Sequence, residues 1–129
     1  MKLQHISIGN TKLKVKLALT PREHASGLMY VSDLPKDEGL LFSYPQKQKL
    51  AFWMKNTTIP LSIAFIDENK KIIQIEDMEP LSEESVKSKE DAMFALEVNK
   101  GWFKDNGISV GDLIKIKDCS KSVRINIVR

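Results

Sequence analysis

The sequence predicts an α+β domain that is mainly antiparallel β, a small barrel- or sandwich-like sheet with two or so short helices. Three observations carry this. About eight short strand-like runs recur along the chain, punctuated by Gly, Pro, Asn and Asp turns. Only two short segments carry helix start or stop signals. The links between runs look too short for parallel βαβ crossovers. With 129 residues, 42% of them hydrophobic, residues 1–129 read as a single domain that can bury an ordinary core.

The elements follow in order. Residues 3–8 (LQHISI) and 12–19 (KLKVKLAL) form a hairpin around Gly9-Asn10-Thr11. In the second run Leu13, Val15, Leu17 and Leu19 alternate with Lys12, Lys14 and Lys16, the period of a half-buried strand whose lysines face water. Thr20-Pro21-Arg22-Glu23 is a helix start, with Thr20 as cap, Pro21 in the first turn and Glu23 closing a capping box. Gly27 ends that helix early. Leu40–Tyr44, Leu50–Lys55 and Leu61–Asp67 read as strands, and Glu68-Asn69-Lys70 turns into a hairpin partner at 71–78. The acidic stretch 79–91, with Pro80 and three serines, reads as a long surface loop. Ala92–Asn99 is expected as a strand, residues 100–106 as a short helix ended by Gly107, and 113–117 and 123–128 as the last strands.

Composition excludes some classes of function. The net charge is +3, from 20 Lys and Arg against 17 Asp and Glu, with no dense basic patch interleaved with aromatics, so a nucleic-acid partner is not expected. No apolar run is long enough for a membrane helix, and MKLQHISIGN has no signal-peptide core, so no membrane insertion is expected. The chain as given reads as soluble and cytoplasmic, with export open if a leader was removed. Cys119 is the only cysteine, which rules out an internal disulfide. His5 and His24 share no metal-ligand spacing and no phosphate-cradling glycine loop is present, so neither metal nor cofactor is expected.

Several stretches form one pattern: Arg22 with Gly27-Leu28-Met29, Gly39-Leu40-Leu41-Phe42, Phe52-Trp53-Met54-Lys55-Asn56-Thr57 with Ile59-Pro60-Leu61, and Ala95-Leu96-Glu97-Val98 with Gly101. This pattern resembles the DUF192 family, an uncharacterised bacterial and archaeal domain family, from about residue 5 to residue 117. The resemblance implies a mainly antiparallel β domain with short helices and no established activity. Its members often carry a leader. Ser62 stands where the family commonly has aspartate, which leaves a metal or proton role for that carboxylate without its residue.

FWMKNTTIP mixes aromatic, cationic and amide side chains in one short run, the composition of a wall of a binding site. Strand alternation places Trp53 and Lys55 on one face and Phe52 and Met54 on the other. The expected ligand-binding residues are Arg22 and Lys55 for charge, Trp53 for stacking, Asn56 and Thr57 for hydrogen bonds, and Met29 along an apolar wall. Each has a plainer reading as well. Asn56-Thr57 can close a turn, Met29 can fill a gap in the core, and Arg22 can pair with Glu97 or Asp112. Glu97, a carboxylate inside an apolar run, requires a partner such as Arg22 or Lys55, or a raised pKa.

No motif dictates a reaction. The leading expectation is therefore a non-enzymatic binding domain for a small polar or anionic ligand, sugar-like or bearing a carboxylate or phosphate. The alternatives are a hydrolase or lyase with Glu97 as acid or base beside Lys55 or Arg22, and a protein assembly module using the 79–91 loop or an edge strand. Oligomeric state is not legible.

Overall fold

Alternating lysines set the first hairpin. In the computed structural model, which describes residues 1–116, strand β1 (Lys2–Ile8) pairs with β2 (Thr11–Ala18) from Lys2↔Leu17 to Ile8↔Thr11. Leu13 and Val15 are buried, and Lys12, Lys14 and Lys16 face outward, but Leu19, expected inward, is exposed because β2 ends at Ala18. The strand expected over 123–128, the end of the one over 113–117, and Cys119 lie outside the described residues.

Helix α1 (Pro21–Ser26) begins with the expected reciprocal cap. The Glu23 amide donates to Thr20 Oγ1 at 3.1 Å, and the Glu23 carboxylate accepts from the Leu19 and Thr20 amides at 2.9 and 3.2 Å. Strand β3 (Glu38–Gln48) then lies parallel to β2, from Lys14↔Glu38 to Ala18↔Phe42. This corrects the expectation of no parallel pairing. Residues 19–37, with α1 inside them, are long enough for one crossover.

Strand β4 is only Ala51–Phe52, shorter than the strand expected over 50–55, because the chain turns at Met54. It is followed by β5 (Leu61–Ile66), β6 (Ile72–Met78), β7 (Val86–Lys87), β8 (Ala92–Asn99), helix α2 (Trp102–Asp105) and β9 (Ile114–Ile116). The acidic stretch is not wholly loop: β7 pairs with β4. Ser88 Oγ accepts from the Leu50 amide at 2.8 Å, and Gln74 Oε1 accepts from the Lys89 amide at 2.8 Å.

Seven strands form one sheet in the order β6-β5-β8-β3-β2-β1-β9, antiparallel except at β2–β3. The sheet curls until its two edges meet. Lys71 bridges Leu113, and the Ile72, Gly111 and Ile114 amides donate to Asp112, Ile72 and Lys70 carbonyls at 2.8–2.9 Å. This contact gives otherwise exposed edge groups partners, as barrel closure does.

Curling creates two apolar cores. Ile6, Val15, Leu41, Leu96 and Val98 fill the inside, and α2 adds Trp102 and Phe103. The opposite face of β3, β5 and β8 presents Leu40, Phe42, Ile63, Phe65 and Ala95 to a second layer that supplies Leu28, Leu50, Met54 and Ile59. All six residues of β5 are therefore buried.

The register at Gly39 is tight: a Cβ there would lie 2.6 Å from the Glu97 carbonyl oxygen and 3.1 Å from Val98 Cγ1. Gly39→Ala is expected to destabilise the fold by about 1–3 kcal/mol. Urea unfolding measures this, and an unchanged midpoint would contradict the close approach.

Candidate functional site

The outer face of the sheet and its second layer do not pack flush. Between them lies a cavity of about 390 Å³. Phe42 and Tyr44 of β3 and Glu97 of β8 form its floor, since period-two alternation sends all three to the outer face. His24 and Ala25 of α1, with Gly27, Leu28 and Met29, form one wall, and residues 51–54 with Thr57 form the other.

The second wall is held by its backbone. The Thr57 amide closes a turn onto the Met54 carbonyl at 3.0 Å, with Asn56 in the left-handed region at φ +57°. The Tyr30 amide donates to the Asn56 carbonyl at 2.9 Å, the Leu81 amide to the Thr57 carbonyl at 2.9 Å, and the Met54 amide to the Ser82 carbonyl at 2.8 Å. FWMKNT is thus clamped between the α1–β3 link and the acidic stretch.

His24 pins the first wall. Its Nε2 lies 3.0 Å from the Ala18 carbonyl and 2.9 Å from the Ser43 carbonyl. Both partners are acceptors, so Nε2 carries the hydrogen and donates. The ring also stacks on Tyr44, with centroids 4.2 Å apart. The histidine thereby ties α1 to the point where β2 and β3 part.

Glu97 is 4% exposed and faces the cavity. Among the described residues no cation forms an ion pair with it. Burial alone pushes its carboxyl up to about 8. The group is therefore mostly protonated at neutral pH, a form with one O–H to donate and lone pairs to accept. Burial first, and the neighbouring Glu97 second, push the Tyr44 hydroxyl up to about 12.

Of the residues expected to bind a ligand, Met29, Trp53 and Thr57 line this cavity together with Glu97. Arg22, Lys55 and Asn56 do not line it. Arg22 is exposed on α1 and forms no ion pair among the described residues. The pairings considered for Glu97, with Arg22 or Lys55, are not formed, because both cations stay at the surface. Lys55 Nζ instead lies 5.2 Å from the Trp53 ring centroid, although the two residues lie beyond β4 and strand alternation does not hold there: Phe52 and Met54, expected on the opposite face, line the same cavity as Trp53. Asn56 forms the turn, and Thr57 Oγ1 donates to the Lys55 carbonyl at 3.1 Å.

Ser62 lies elsewhere. Its hydroxyl donates to Asp77 Oδ1 at 2.8 Å and accepts from the Gly101 amide at 3.1 Å. Sequence reasoning missed His24 and Tyr44 as parts of the site. Tyr44 carried a usable signal, two residues after Phe42 on a predicted strand and so on the same face. Among the described residues no group of three or more His, Cys, Asp or Glu side chains converges as a metal site would require. None of their helices is long and apolar enough to cross a membrane.

A curled, mainly antiparallel sheet with an outer layer and a carboxyl-floored cavity defines a small α+β domain. The chain belongs to the DUF192 family of uncharacterised proteins, whose pattern matches residues 4–116. A crystal structure from Sinorhizobium meliloti 1021, described as a candidate transcription regulator, is similar, with TM-score 0.86 and 32% identity over 89% of this chain and 94% of that one. A protein of unknown function from Novosphingobium aromaticivorans DSM 12444 is also similar, with TM-score 0.82 and 29% identity over 88% of this chain and 84% of its own. No curated protein matches the chain significantly.

The Glu97 carboxyl predicts a pH dependence of stability. Its folded value, about 8, lies above the ordinary 4.5, so the folded state holds a proton that the unfolded chain releases. That contribution is complete below pH 4.5 and is lost as pH rises through about 8. The expected loss is a few kcal/mol, by the order-of-magnitude conversion of such a shift. Denaturant unfolding from pH 5 to 9 should show this fall in the native protein and a much flatter profile in Glu97→Gln. Identical profiles would contradict the assignment.

Proposed function

We propose that this protein is a binding domain whose cavity between α1, the sheet and residues 51–57 holds a small polar ligand. The observation that carries this reading is the Glu97 carboxyl, buried in the cavity with no ionic partner among the described residues. A carboxyl confined away from bulk water is costly to charge, and a ligand that bonds it offsets that cost. A volume of about 390 Å³ suits a small metabolite. Trp53, Met29 and Thr57 act as walls around Glu97, with Arg22 and Lys55 outside.

The anionic ligand of the sequence reading is the less favoured form. Among the described residues no Lys or Arg lines the cavity, and an anion there would face Glu97. The regulator description of the Sinorhizobium protein suggests nucleic acid, for which the lysines of β2 and Lys115 of β9 offer the basic face. We favour the cavity, because Lys14 already pairs with Glu38 at 3.8 Å and β1, β2 and β9 carry no Phe, Tyr or Trp to stack on bases.

One observation favours an enzymatic reading beside it. A carboxyl raised to about 8 is poised to exchange protons near neutral pH. Glu97 would then be the acid or base, and turnover would vanish in Glu97→Gln while binding survived.

A thermal-shift screen of neutral, cationic and anionic metabolites tests the proposal. A ligand at 100 times its dissociation constant should stabilise the native protein by roughly 2.7 kcal/mol. The shift should persist in Lys55→Ala and shrink in Glu97→Gln. A shift that survives Glu97→Gln but vanishes in Lys55→Ala would place the ligand outside the cavity.

A further inference from the structure

We infer that the cavity takes a small alkylammonium cation, with Glu97 as its counter-charge and the surrounding rings as its walls. The inference rests on the binding reading above and narrows it to one chemical class.

Four aromatic residues, Phe42, Tyr44, Phe52 and Trp53, line this one cavity, out of nine Phe, Trp and Tyr in the whole chain. Phe42 and Phe52 meet edge to face, with centroids 4.8 Å apart and planes at 68°. Aromatic faces carry negative potential and attract cations, and rings grouped about a carboxylate are the usual way to hold a substituted ammonium. Two polarizable thioethers, Met29 and Met54, also line the space and suit N-methyl groups.

The charges around the space lead to the same class. The His24 Nε2–H is engaged with two backbone carbonyls and the Thr57 hydroxyl with a third. The Tyr44 and Ser26 hydroxyls also line the space, but the Glu97 carboxyl is the one lining group that can supply a negative charge to a ligand. A carboxyl ringed by aromatic faces, with no Lys or Arg among the described residues lining the space, matches a positive ligand and opposes a negative one.

Binding is then linked to one proton. The titratable groups facing the space are His24 from α1, Tyr44 from β3 and Glu97 from β8, while the 51–57 wall contributes none to the lining. In the free protein the Glu97 carboxyl keeps its proton up to about pH 8. When the cation enters, the O–H bond of Glu97 breaks, the proton passes to solvent, and the carboxylate keeps the electron pair and faces the ammonium. Affinity should therefore rise with pH by up to about tenfold per unit below the Glu97 midpoint, and level off above it.

Isothermal titration calorimetry at pH 6.5 and 9 tests this with tetramethylammonium and choline, beside 3,3-dimethylbutan-1-ol, the uncharged isostere of choline, and acetate. The expected result is binding of both cations, tighter at pH 9, with the isostere and acetate much weaker. Trp53→Leu, at a residue 45% exposed and so tolerant of change, should weaken choline binding by about tenfold. Glu97→Gln should weaken it further and abolish the pH dependence. Binding of the isostere or acetate without the cations would overturn the cation assignment and leave the binding reading standing. Failure of both cations at pH 9 in a folded protein would overturn the assignment too, and the wider metabolite screen would then decide the binding reading separately. Cation binding unaffected by both Trp53→Leu and Glu97→Gln would place the site elsewhere and overturn it as well.

Discussion

A carboxyl group in the middle of a two-sided sheet is the constraint around which the outer layer is arranged. Strand β8 is paired on both edges, to β3 through Leu40↔Glu97 and to β5 through Ile63↔Glu97. Its inward residues, Leu96 and Val98, fill the barrel interior. Its outward residues face a layer that must also be buried, because Phe42, Ile63 and Phe65 share that face. Glu97 is thus denied bulk water by the same covering that stabilises the neighbouring apolar residues. Burying a charge there would cost several kcal/mol, so the group keeps its proton and a space remains in front of it.

The covering layer is built to hold that space open. Helix α1 is only six residues long and contributes no fully buried side chain, so its own packing is thin. The His24 bridge to the Ala18 and Ser43 carbonyls compensates by fixing the helix to the splayed ends of the parallel pair. Opposite it, Tyr30, Asn56 and Leu81 all have positive φ, between +57° and +64°. Asn tolerates that conformation readily, whereas Tyr and Leu rarely adopt it. Each non-glycine residue held this way carries strain of order 1 kcal/mol or more, sustained because surrounding bonds overdetermine it. Here those bonds join Tyr30 to Asn56 and Leu81 to Thr57, so the strained residues are the ones that hold the FWMKNT wall in place.

Much of the fold was legible wherever one local rule acted alone. The Lys12–Leu17 alternation, the Thr20–Glu23 cap and the strand at 92–99 each follow from period or hydrogen-bond geometry within a few residues. The parallel β2–β3 pairing was not legible, because it depends on how far residues 19–37 travel and not on any local pattern. Strand β4 was overestimated because apolar alternation continues through Trp53 and Met54 after the backbone has left the sheet. The site was half legible. The apolar run around Glu97 flagged it as a carboxyl needing an account, but alternation, which put Phe52 and Met54 on the face away from Trp53, fails beyond β4, where all three line one cavity. It supplied no means to know that Arg22 and Lys55 stop at the surface, or that His24 and Tyr44, from distant elements, meet at the cavity.

The state of the Glu97 carboxyl decides the account. Carbon-13 NMR titration of the glutamate side-chain carboxyls, with the Glu97 signal identified by its loss in Glu97→Gln, measures it directly. The account predicts a midpoint near 8, well separated from the other glutamates. A midpoint near the ordinary 4.5 would mean that the carboxyl is solvated or paired, and would contradict a buried group without an ionic partner as the centre of the candidate site.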